Sequence, residues 1–285
     1  MRYLIACFIA AVTVLTLPRA SWAKPGACDS LQGPKRALAE SLLKSQHPYD
    51  CCDGTLWECL SRKPVCRLAR RLSEDICRRV AAGQQKAQIE RELVRRASSM
   101  MPSKSKASIA LANLPPAGDA KAKVTAVAYL CARCPFCARL LPQLHQSVVA
   151  GKLSGKVKLY VRVFPVRGHA GATEGGLALV AARKLGKFWE FIEHVYANFD
   201  RFDQAKLPDC AAAKGMDRKR FVQLMKDRKT RKELVNSKKE GVRNNVDATP
   251  TLFINGRKYM AELSLNAIED VLLEEYERVT GQIHE

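Results

Sequence analysis

The seven-residue stretch Cys131-Ala132-Arg133-Cys134-Pro135-Phe136-Cys137 decides how the rest of the chain is interpreted. Apolar residues lead into it over positions 124–130, and a helix-like pattern follows over 138–149. Pro135 suits the first position of a helix, because the N–H that proline lacks would be unpaired there. Cys134 is therefore predicted to lie at a helix N-terminus, where unpaired N–H groups and the helix dipole stabilise an anion.

This position makes Cys134 a candidate nucleophile. The thiolate form of cysteine attacks disulfides, and a helix N-terminus favours ionisation of the thiol. Cys137 follows about one helical turn later, which places it to close a disulfide with Cys134. A strand, a Cys-x-x-Cys turn and a helix together predict a redox-active disulfide. The alternatives from these residues alone are a structural disulfide and half of a metal site.

The first 23 residues have the pattern of a secretory signal peptide. Arg2 precedes an apolar run over 3–17, and small residues, Ser21 and Ala23, occupy the two positions that a signal peptidase inspects. The apolar run is short for a membrane span of about 20 residues. We therefore expect residues 1–23 to be removed and the remaining chain to be periplasmic, in an oxidising space where disulfides persist.

The composition agrees with export. The chain has 11 cysteines and a formal net charge of +20. Of its cysteines and charged residues, only Cys7, Arg2 and Arg19 fall within residues 1–23. A basic protein often binds nucleic acid, a membrane surface or acidic partners. Export argues against nucleic acid, and the charges are spread along the sequence. We expect a mainly solvated basic surface and no nucleic-acid partner.

Residues 24–101 are predicted to form a small, disulfide-rich all-α domain. Apolar residues repeat at helical spacing from Leu68 to Val80, Gly83 ends that helix, and a second stripe begins at Ile89. So small a core is commonly reinforced by disulfides. The sequence does not choose among the possible pairings. The six cysteines concerned are Cys28, Cys51, Cys52, Cys59, Cys66 and Cys77.

The same segment faintly resembles the helical hairpin of the cytochrome c maturation proteins of the CcmH type. The matching residues are Leu72, Gly83, Ile89 and Arg96. That family carries a Cys-x-x-Cys pair ahead of the hairpin, whereas this chain reads Cys51-Cys52-Asp53-Gly54 there. Structural disulfides are therefore favoured over a second redox pair, haem attachment or a zinc site.

Residues 120–285 are predicted to form an α/β domain, reached through a linker at 102–119 that is rich in proline, serine, glycine and lysine. A β-branched run at 158–163 predicts a strand parallel to the first one. Helices on both faces of a central sheet and a helical insertion at about 170–240 complete the architecture. The remaining predicted elements are helices at 174–199, 217–234 and 263–279 and a strand at 251–254, followed by an Asn255-Gly256 hairpin turn.

This domain resembles the exported thioredoxin-fold oxidoreductases of the DsbA type. The motifs occur in the family's order: Cys134-Pro135-Phe136-Cys137, then 161–165, His169, 186–190 and 246–256. The resemblance implies a thioredoxin-like sheet and a protein thiol-disulfide oxidoreductase in which Cys134 and Cys137 form the active-site disulfide. Its substrates are then exported protein thiols and disulfides, its redox partner is a membrane-bound protein, and it needs no cofactor and no metal.

The resemblance also assigns substrate binding to Thr249 and Pro250. In thioredoxin folds the corresponding proline is cis and faces the Cys-x-x-Cys, which leaves the Thr249 backbone free to pair with a substrate strand. His169 is a further candidate, as a cation that tunes the thiolate, although a structural place at the start of a helix is favoured.

Two cysteines of this domain remain, Cys131 and Cys210. The simplest hypothesis pairs them in a structural disulfide that fastens the helical insertion to the loop before the active site. The alternative is a metal or iron–sulfur site on Cys131, Cys134 and Cys137. The ferredoxin pattern requires a further cysteine at position 141, where this chain has Leu141. We therefore expect no metal.

Three functions remain open at this point. The first is the periplasmic thiol-disulfide oxidoreductase. The second is a dedicated thiol-handling factor in cytochrome c maturation, which only the N-terminal hairpin supports. The third is a non-catalytic module that binds peptides in the groove beside Pro250.

Overall fold

The computed structural model describes residues 28–101 and 106–285. The predicted signal peptide, residues 1–23, and the start of the predicted linker lie outside the described residues. Within them, the chain forms an N-terminal helical segment and a four-stranded sheet with helices around it. None of the helices in these two ranges combines the length and the hydropathy that a membrane span requires.

The N-terminal segment folds around an apolar core of its own. Leu42, Leu56, Ile76 and Ile89 are fully buried in this core. The six cysteines pair as Cys28–Cys77, Cys51–Cys66 and Cys52–Cys59, which confirms their interpretation as structural disulfides. The four helices are α1 (Gly33–Ser45), α2 (Leu56–Ser61), α3 (Arg67–Ala81) and α4 (Lys86–Met100).

The sheet contains one parallel and two antiparallel pairs. Its strands, in the order β2-β1-β3-β4, are β1 (Val124–Leu130), β2 (Val157–Val163), β3 (Thr251–Ile254) and β4 (Arg257–Lys258). β1 is parallel to β2, as the β-α-β pattern predicts, and antiparallel to β3. The predicted Asn255-Gly256 turn joins β3 to β4, and both of its residues have positive φ angles, 46° and 83°.

Seven helices surround the sheet: α5 (Pro135–Val149), α6 (Ala172–Lys184), α7 (Phe188–Ala197), α8 (Leu207–Ala213), α9 (Arg218–Lys226), α10 (Arg228–Arg243) and α11 (Leu265–Thr280). The helices predicted at 174–199 and 217–234 are each two helices. Gly186 follows α6 with a φ of 72°, a conformation that ends a helix. Asp227 begins α10, because its carboxylate accepts a hydrogen bond from the Thr230 N–H.

Helices cover both faces of the sheet. Ala126, Ala128 and Leu130 of β1 point into a core shared with α5 and α11. Val127 and Tyr129 point to the opposite face, against α10. Gly241 of α10 permits this contact, because a Cβ atom there would lie 2.6 Å from the Phe164 ring. The sheet therefore holds the end of β1, and the site that follows it, between two packed layers.

The N-terminal segment docks on α11 through buried ion pairs. Arg96 is only 3% exposed and donates to Asp270 at 2.6 Å and to Glu274 at 2.7 Å. Arg71 of α3 donates to Asp270 at 2.9 Å. The Tyr49 hydroxyl donates to Glu274. The expectation of a mainly solvated basic surface is therefore wrong for these arginines, since carboxylates of α11 pair with them.

Candidate active site

The Cys-x-x-Cys motif lies where β1 ends and α5 begins. Cys134 is the N-cap residue of α5 and Pro135 is the first helical residue, which confirms the predicted helix N-terminus. The Cys134 N–H donates to the Cys131 carbonyl at 3.1 Å, so residues 131–134 form a turn. The Ala138 N–H donates to the Cys134 carbonyl at 3.0 Å and closes the first turn of the helix.

The surroundings of Cys134 lower its thiol pKa to about 5. The largest cause is a hydrogen bond from the Cys137 thiol, which stabilises the Cys134 thiolate, while burial acts in the opposite direction. The Thr249 side chain lowers the pKa further, as do the backbone N–H groups of Cys137 and Phe136 in the first turn of α5. The helix N-terminus therefore contributes as predicted, but the neighbouring thiol contributes more.

Cys137 has the opposite shift. Its side chain is fully buried, which raises its pKa, and the adjacent Cys134 raises it further. At neutral pH, Cys134 is ionised while Cys137 keeps its proton and donates it in a hydrogen bond to the Cys134 sulfur. The Cys134 sulfur can therefore attack as a thiolate, whereas the Cys137 sulfur remains a protonated thiol.

Thr249 and Pro250 lie against the Cys134 sulfur. The Cys134 thiol donates to the Thr249 carbonyl oxygen at 3.1 Å, and the Thr249–Pro250 peptide bond is cis. The Thr249 hydroxyl is buried without a hydrogen-bond partner among the described residues, so it is available to the thiolate. These contacts leave Cys134 only 1% exposed, which is more covered than the sequence suggests for an attacking thiol.

The expected disulfide between Cys131 and Cys210 is not formed, because both residues are free thiols. Cys131 is fully buried at the end of β1, and its sulfur lies 3.5 Å from Nδ1 of His169. Cys210 is half-buried on α8, and its pKa is raised by burial and by Asp209.

His169 does lie near the motif, but beside Cys131. It precedes α6, where its carbonyl accepts a hydrogen bond from the Ala172 N–H at 3.0 Å. The sequence predicts it as a candidate cation beside the nucleophile. The contact recorded for its ring is with the sulfur of Cys131 rather than that of Cys134.

Arg133 and Tyr196 also shape the site, although no sequence motif indicated either residue. The Arg133 guanidinium lies 4.5 Å and 4.4 Å from the ring centroids of Phe199 and Phe202 and donates to the Phe199 carbonyl at 2.7 Å. The Tyr196 hydroxyl donates to the Cys131 carbonyl at 3.1 Å. Both contacts tie the active-site turn to the helical insertion. They join residues more than 60 positions apart, so motif spacing gave no signal for them.

The described part of the chain contains no group of three or more His, Cys, Asp or Glu side chains arranged to hold a metal ion. The reactive groups of this site are its cysteine thiols. A low-pKa thiol and a buried second thiol beside it are the parts that thiol-disulfide exchange requires.

Curated relatives match this chain over part of their length. The Na(+)/H(+) antiporter NhaA 3 of Salinispora tropica is 27% identical over 157 residues, which is 55% of this chain and 24% of that protein. The Na(+)/H(+) antiporter NhaA 1 of Mycolicibacterium gilvum is 30% identical over 146 residues, 50% of this chain and 23% of that protein. The chain therefore spans about a quarter of the length of these relatives.

Solved structures match the fold. Alpha-DsbA1 from Wolbachia pipientis superposes with a TM-score of 0.53 at 20% identity, covering 62% of this chain and 97% of that one. BdbD from Bacillus subtilis has a TM-score of 0.52 at 18% identity, covering 62% of this chain and all of that one. These matches confirm the DsbA-type thioredoxin-like fold.

A protein-family comparison gives the assignment. Residues 114–274 match the family described as thioredoxin, a range that begins within the predicted linker and includes all four strands. The match covers more than half of the chain. By this match, the chain belongs to the thioredoxin family.

Proposed function

We propose that this protein is an exported protein thiol-disulfide oxidoreductase with Cys134 as its nucleophile and Cys137 as its disulfide partner. The observation that carries the proposal is the position of Cys134 at the N-terminus of α5, beside Cys137 and the Thr249 carbonyl, where its thiol pKa is lowered to about 5. A thiol with so low a pKa is mostly thiolate at neutral pH and is also a good leaving group.

In the oxidising direction, a substrate thiolate attacks the Cys134 sulfur of the Cys134–Cys137 disulfide. The Cys134–Cys137 bond breaks, and Cys137 leaves and takes up a proton. A second substrate thiolate then attacks the substrate sulfur of the mixed disulfide and releases the Cys134 thiolate. The substrate gains a disulfide and the protein is reduced by two electrons. Because the low pKa stabilises the reduced form, the oxidised form is an oxidant.

In the reducing direction, the Cys134 thiolate attacks a substrate disulfide, and Cys137 resolves the mixed disulfide. The proton that Cys137 holds at neutral pH must leave before this step. The raised pKa of Cys137 therefore slows resolution relative to attack.

Access to the Cys134 sulfur requires its contact with the Thr249 carbonyl to break. The 3.1 Å contact with the Thr249 carbonyl depends on the thiol proton. Ionisation removes that donor and leaves a thiolate facing a carbonyl oxygen, which is repulsive. The Thr249 carbonyl is then free to accept a hydrogen bond from the backbone of a substrate strand, so we propose Thr249 and Pro250 as the substrate-binding edge.

The surface beside this edge suits unfolded protein substrates. Pro135 is exposed, and Phe136 is 61% exposed, an unusually open position for a large apolar side chain. The Arg139 guanidinium lies 5.0 Å from the centroid of the Phe136 ring and holds it at the surface. Backbone pairing at Thr249 with an apolar contact at Phe136 binds many sequences rather than one.

We propose that residues 1–23 direct export, that the protein acts in the periplasm on exported protein thiols and disulfides, and that a membrane-bound partner resets Cys134 and Cys137. The three N-terminal disulfides support an oxidising compartment. The cytochrome c maturation alternative has less support, because all six N-terminal cysteines are paired with one another and leave no free Cys-x-x-Cys ahead of the α3–α4 hairpin.

The test is reduction of insulin by dithiothreitol and oxidation of a dithiol peptide, with Cys134→Ser as the variant. We expect this variant to lose both activities. Cys210→Ser is the matched control, because it removes a free thiol outside the motif and is expected to keep both. Activity retained by Cys134→Ser contradicts the assignment of Cys134 as the nucleophile, and absence of both activities in the unsubstituted protein favours the non-catalytic peptide-binding module.

A further inference from the structure

Cys131 is a third free thiol at the active site, and the proposed function does not use it. It is fully buried at the end of β1, and its sulfur lies 3.5 Å from Nδ1 of His169. A buried free thiol three residues before a nucleophile has a chemistry of its own, because any thiolate within reach of a disulfide exchanges with it.

The chain contains two overlapping Cys-x-x-Cys motifs, 131–134 and 134–137, which share Cys134. The Cys134 N–H donates to the Cys131 carbonyl at 3.1 Å, which makes the first motif a hydrogen-bonded turn. The two ends of such a turn have Cα atoms within about 7 Å. Disulfides bridge Cα separations of about 4.4–6.8 Å. The backbone therefore brings Cys131 into bonding range of Cys134.

Tyr196 borders all three cysteines, and its hydroxyl donates to the Cys131 carbonyl at 3.1 Å. Burial raises the pKa of its phenol, and the sulfurs of Cys137, Cys131 and Cys134 each raise it further. The Cys131 backbone also contacts the Cys137 sulfur. A thiol on either side of Cys134 is thus placed within the same buried space.

We propose that Cys131 is a second resolving thiol, which forms a disulfide with Cys134 in competition with Cys137. This inference rests on the proposed function and extends it. In a mixed disulfide between Cys134 and a substrate, Nδ1 of His169 accepts the proton of the Cys131 thiol. The Cys131 sulfur attacks the Cys134 sulfur, the bond to the substrate breaks, and the substrate leaves as a thiolate that solvent protonates. The substrate gains two electrons and the Cys131–Cys134 pair loses two.

The mixed disulfide itself favours this step. Burial is the largest cause of the raised pKa of Cys131, and free Cys134 raises it further, because two thiolates close together repel each other. Once Cys134 is bonded to a substrate it carries no charge, and that repulsion disappears. His169 then gives Cys131 an adjacent base. Cys137 can afterwards attack the Cys134 sulfur of the new disulfide, releasing Cys131 and forming the Cys134–Cys137 bond with no further change in oxidation.

Trypsin cleaves between Cys131 and Cys134, so the mass of the peptides distinguishes a disulfide made by Cys131 from one made by Cys137. Cleavage after Lys123, Arg133 and Arg139 produces peptide 124–133, which contains Cys131, and peptide 134–139, which contains Cys134 and Cys137. A Cys134–Cys137 disulfide stays within the second peptide. A disulfide made by Cys131 links the two peptides into one species of distinct mass.

The experiment treats the Cys137→Ser variant with oxidised glutathione, quenches with acid and maps the digest by mass spectrometry. We expect peptides 124–133 and 134–139 to be linked and glutathione to be absent from Cys134. The control is the double variant Cys131→Ser/Cys137→Ser, in which glutathione should remain on Cys134. The proposal is overturned if Cys137→Ser keeps glutathione on Cys134 as fully as the double variant, with no linked peptides.

Failure of the proposed function gives a different result. If Cys134 is unreactive, the double variant takes up no glutathione, and the inference falls with the function. If Cys137→Ser does not fold, the unsubstituted protein in a series of glutathione redox buffers decides the matter. Linked peptides at any ratio of oxidised to reduced glutathione support a Cys131 disulfide, and a disulfide confined to peptide 134–139 at every ratio contradicts it.

Discussion

The sulfur of Cys134 and the carbonyl oxygen of Thr249 lie 3.1 Å apart, although 115 positions separate the two residues in the sequence. This contact brings the segment that precedes β3 against the N-terminus of α5. It places the nucleophile and the proposed substrate-binding edge in one site. It also covers the sulfur, so the activity depends on how Thr249 responds when Cys134 ionises.

The Thr249 hydroxyl is expected to contribute to the low pKa of Cys134. Thr249→Val keeps the shape of the side chain and removes the hydroxyl that interacts with the Cys134 sulfur. We expect the Cys134 pKa to rise in this variant, because the thiolate loses a donor. The rise is measured by the absorbance of the thiolate near 240 nm as a function of pH, on the order of one unit for a loss of about 1.4 kcal/mol.

Thr230→Val is the matched control for that substitution. Thr230 is also buried, but its hydroxyl contacts Asp227 at the start of α10, away from the thiols. We expect an unchanged Cys134 titration. An equal shift in both variants would mean that the Thr249 effect is a general loss of packing.

The stability of the reduced protein should depend on pH through Cys134. The folded-state pKa is about 5, below the ordinary value of about 8.5 in an unfolded chain. The contribution of Cys134 to stability is therefore complete above about pH 8.5 and is lost as the pH falls towards 5. The free energy of unfolding of the reduced protein, minus that of Cys134→Ala, should increase from pH 5 to pH 8. Urea unfolding under reducing conditions measures this difference.

Cys210→Ala provides the comparison for this pH dependence. The pKa of Cys210 is raised, chiefly by burial, so this thiol stays protonated in both states across the same range. The difference in free energy of unfolding between Cys210→Ala and the unsubstituted protein should not change with pH. A flat difference for Cys134→Ala as well would contradict the lowered pKa.

The ion pairs between the N-terminal segment and α11 should be essential for stability. Arg96→Ala leaves Asp270 and Glu274 in a buried site without their closest cation, which costs about 3–5 kcal/mol. Arg95→Ala is the control, because Arg95 is 59% exposed and pairs with Glu92 at the surface, where such a pair contributes about 0–1 kcal/mol. Urea unfolding measures both, and equal losses would mean that the buried network adds nothing.

Local sequence patterns predicted the backbone conformation around the Cys-x-x-Cys motif. Pro135 and the apolar run before it placed Cys134 at the N-terminus of a helix, because these preferences act over a few residues. The helix break at Asp227 was missed, since a capping aspartate within a basic, helix-forming run gives a weak signal. The strand and turn at 251–256 were recognised from β-branched residues followed by Asn-Gly.

Contacts between segments that are distant in the sequence could not be predicted from it. The pairing of Cys131 with Cys210 was inferred by elimination, and elimination fails when a thiol can stay free in a buried site beside His169. The arginines of α3 lie off its apolar stripe, which indicates a polar face but not what covers it. Asp270 and Glu277 of α11 cover that face, and neither segment by itself indicates that it pairs with the other.

The most direct test of the account is the rate at which iodoacetamide alkylates Cys134 in the reduced protein as a function of pH, followed on peptide 134–139 by mass spectrometry. We expect a rate that is half-maximal near pH 5 and constant from about pH 6.5 to pH 8, because the thiolate is then fully formed and no longer donates to the Thr249 carbonyl. A rate that still rises through pH 8.5, or a Cys134 that resists alkylation throughout, would contradict it.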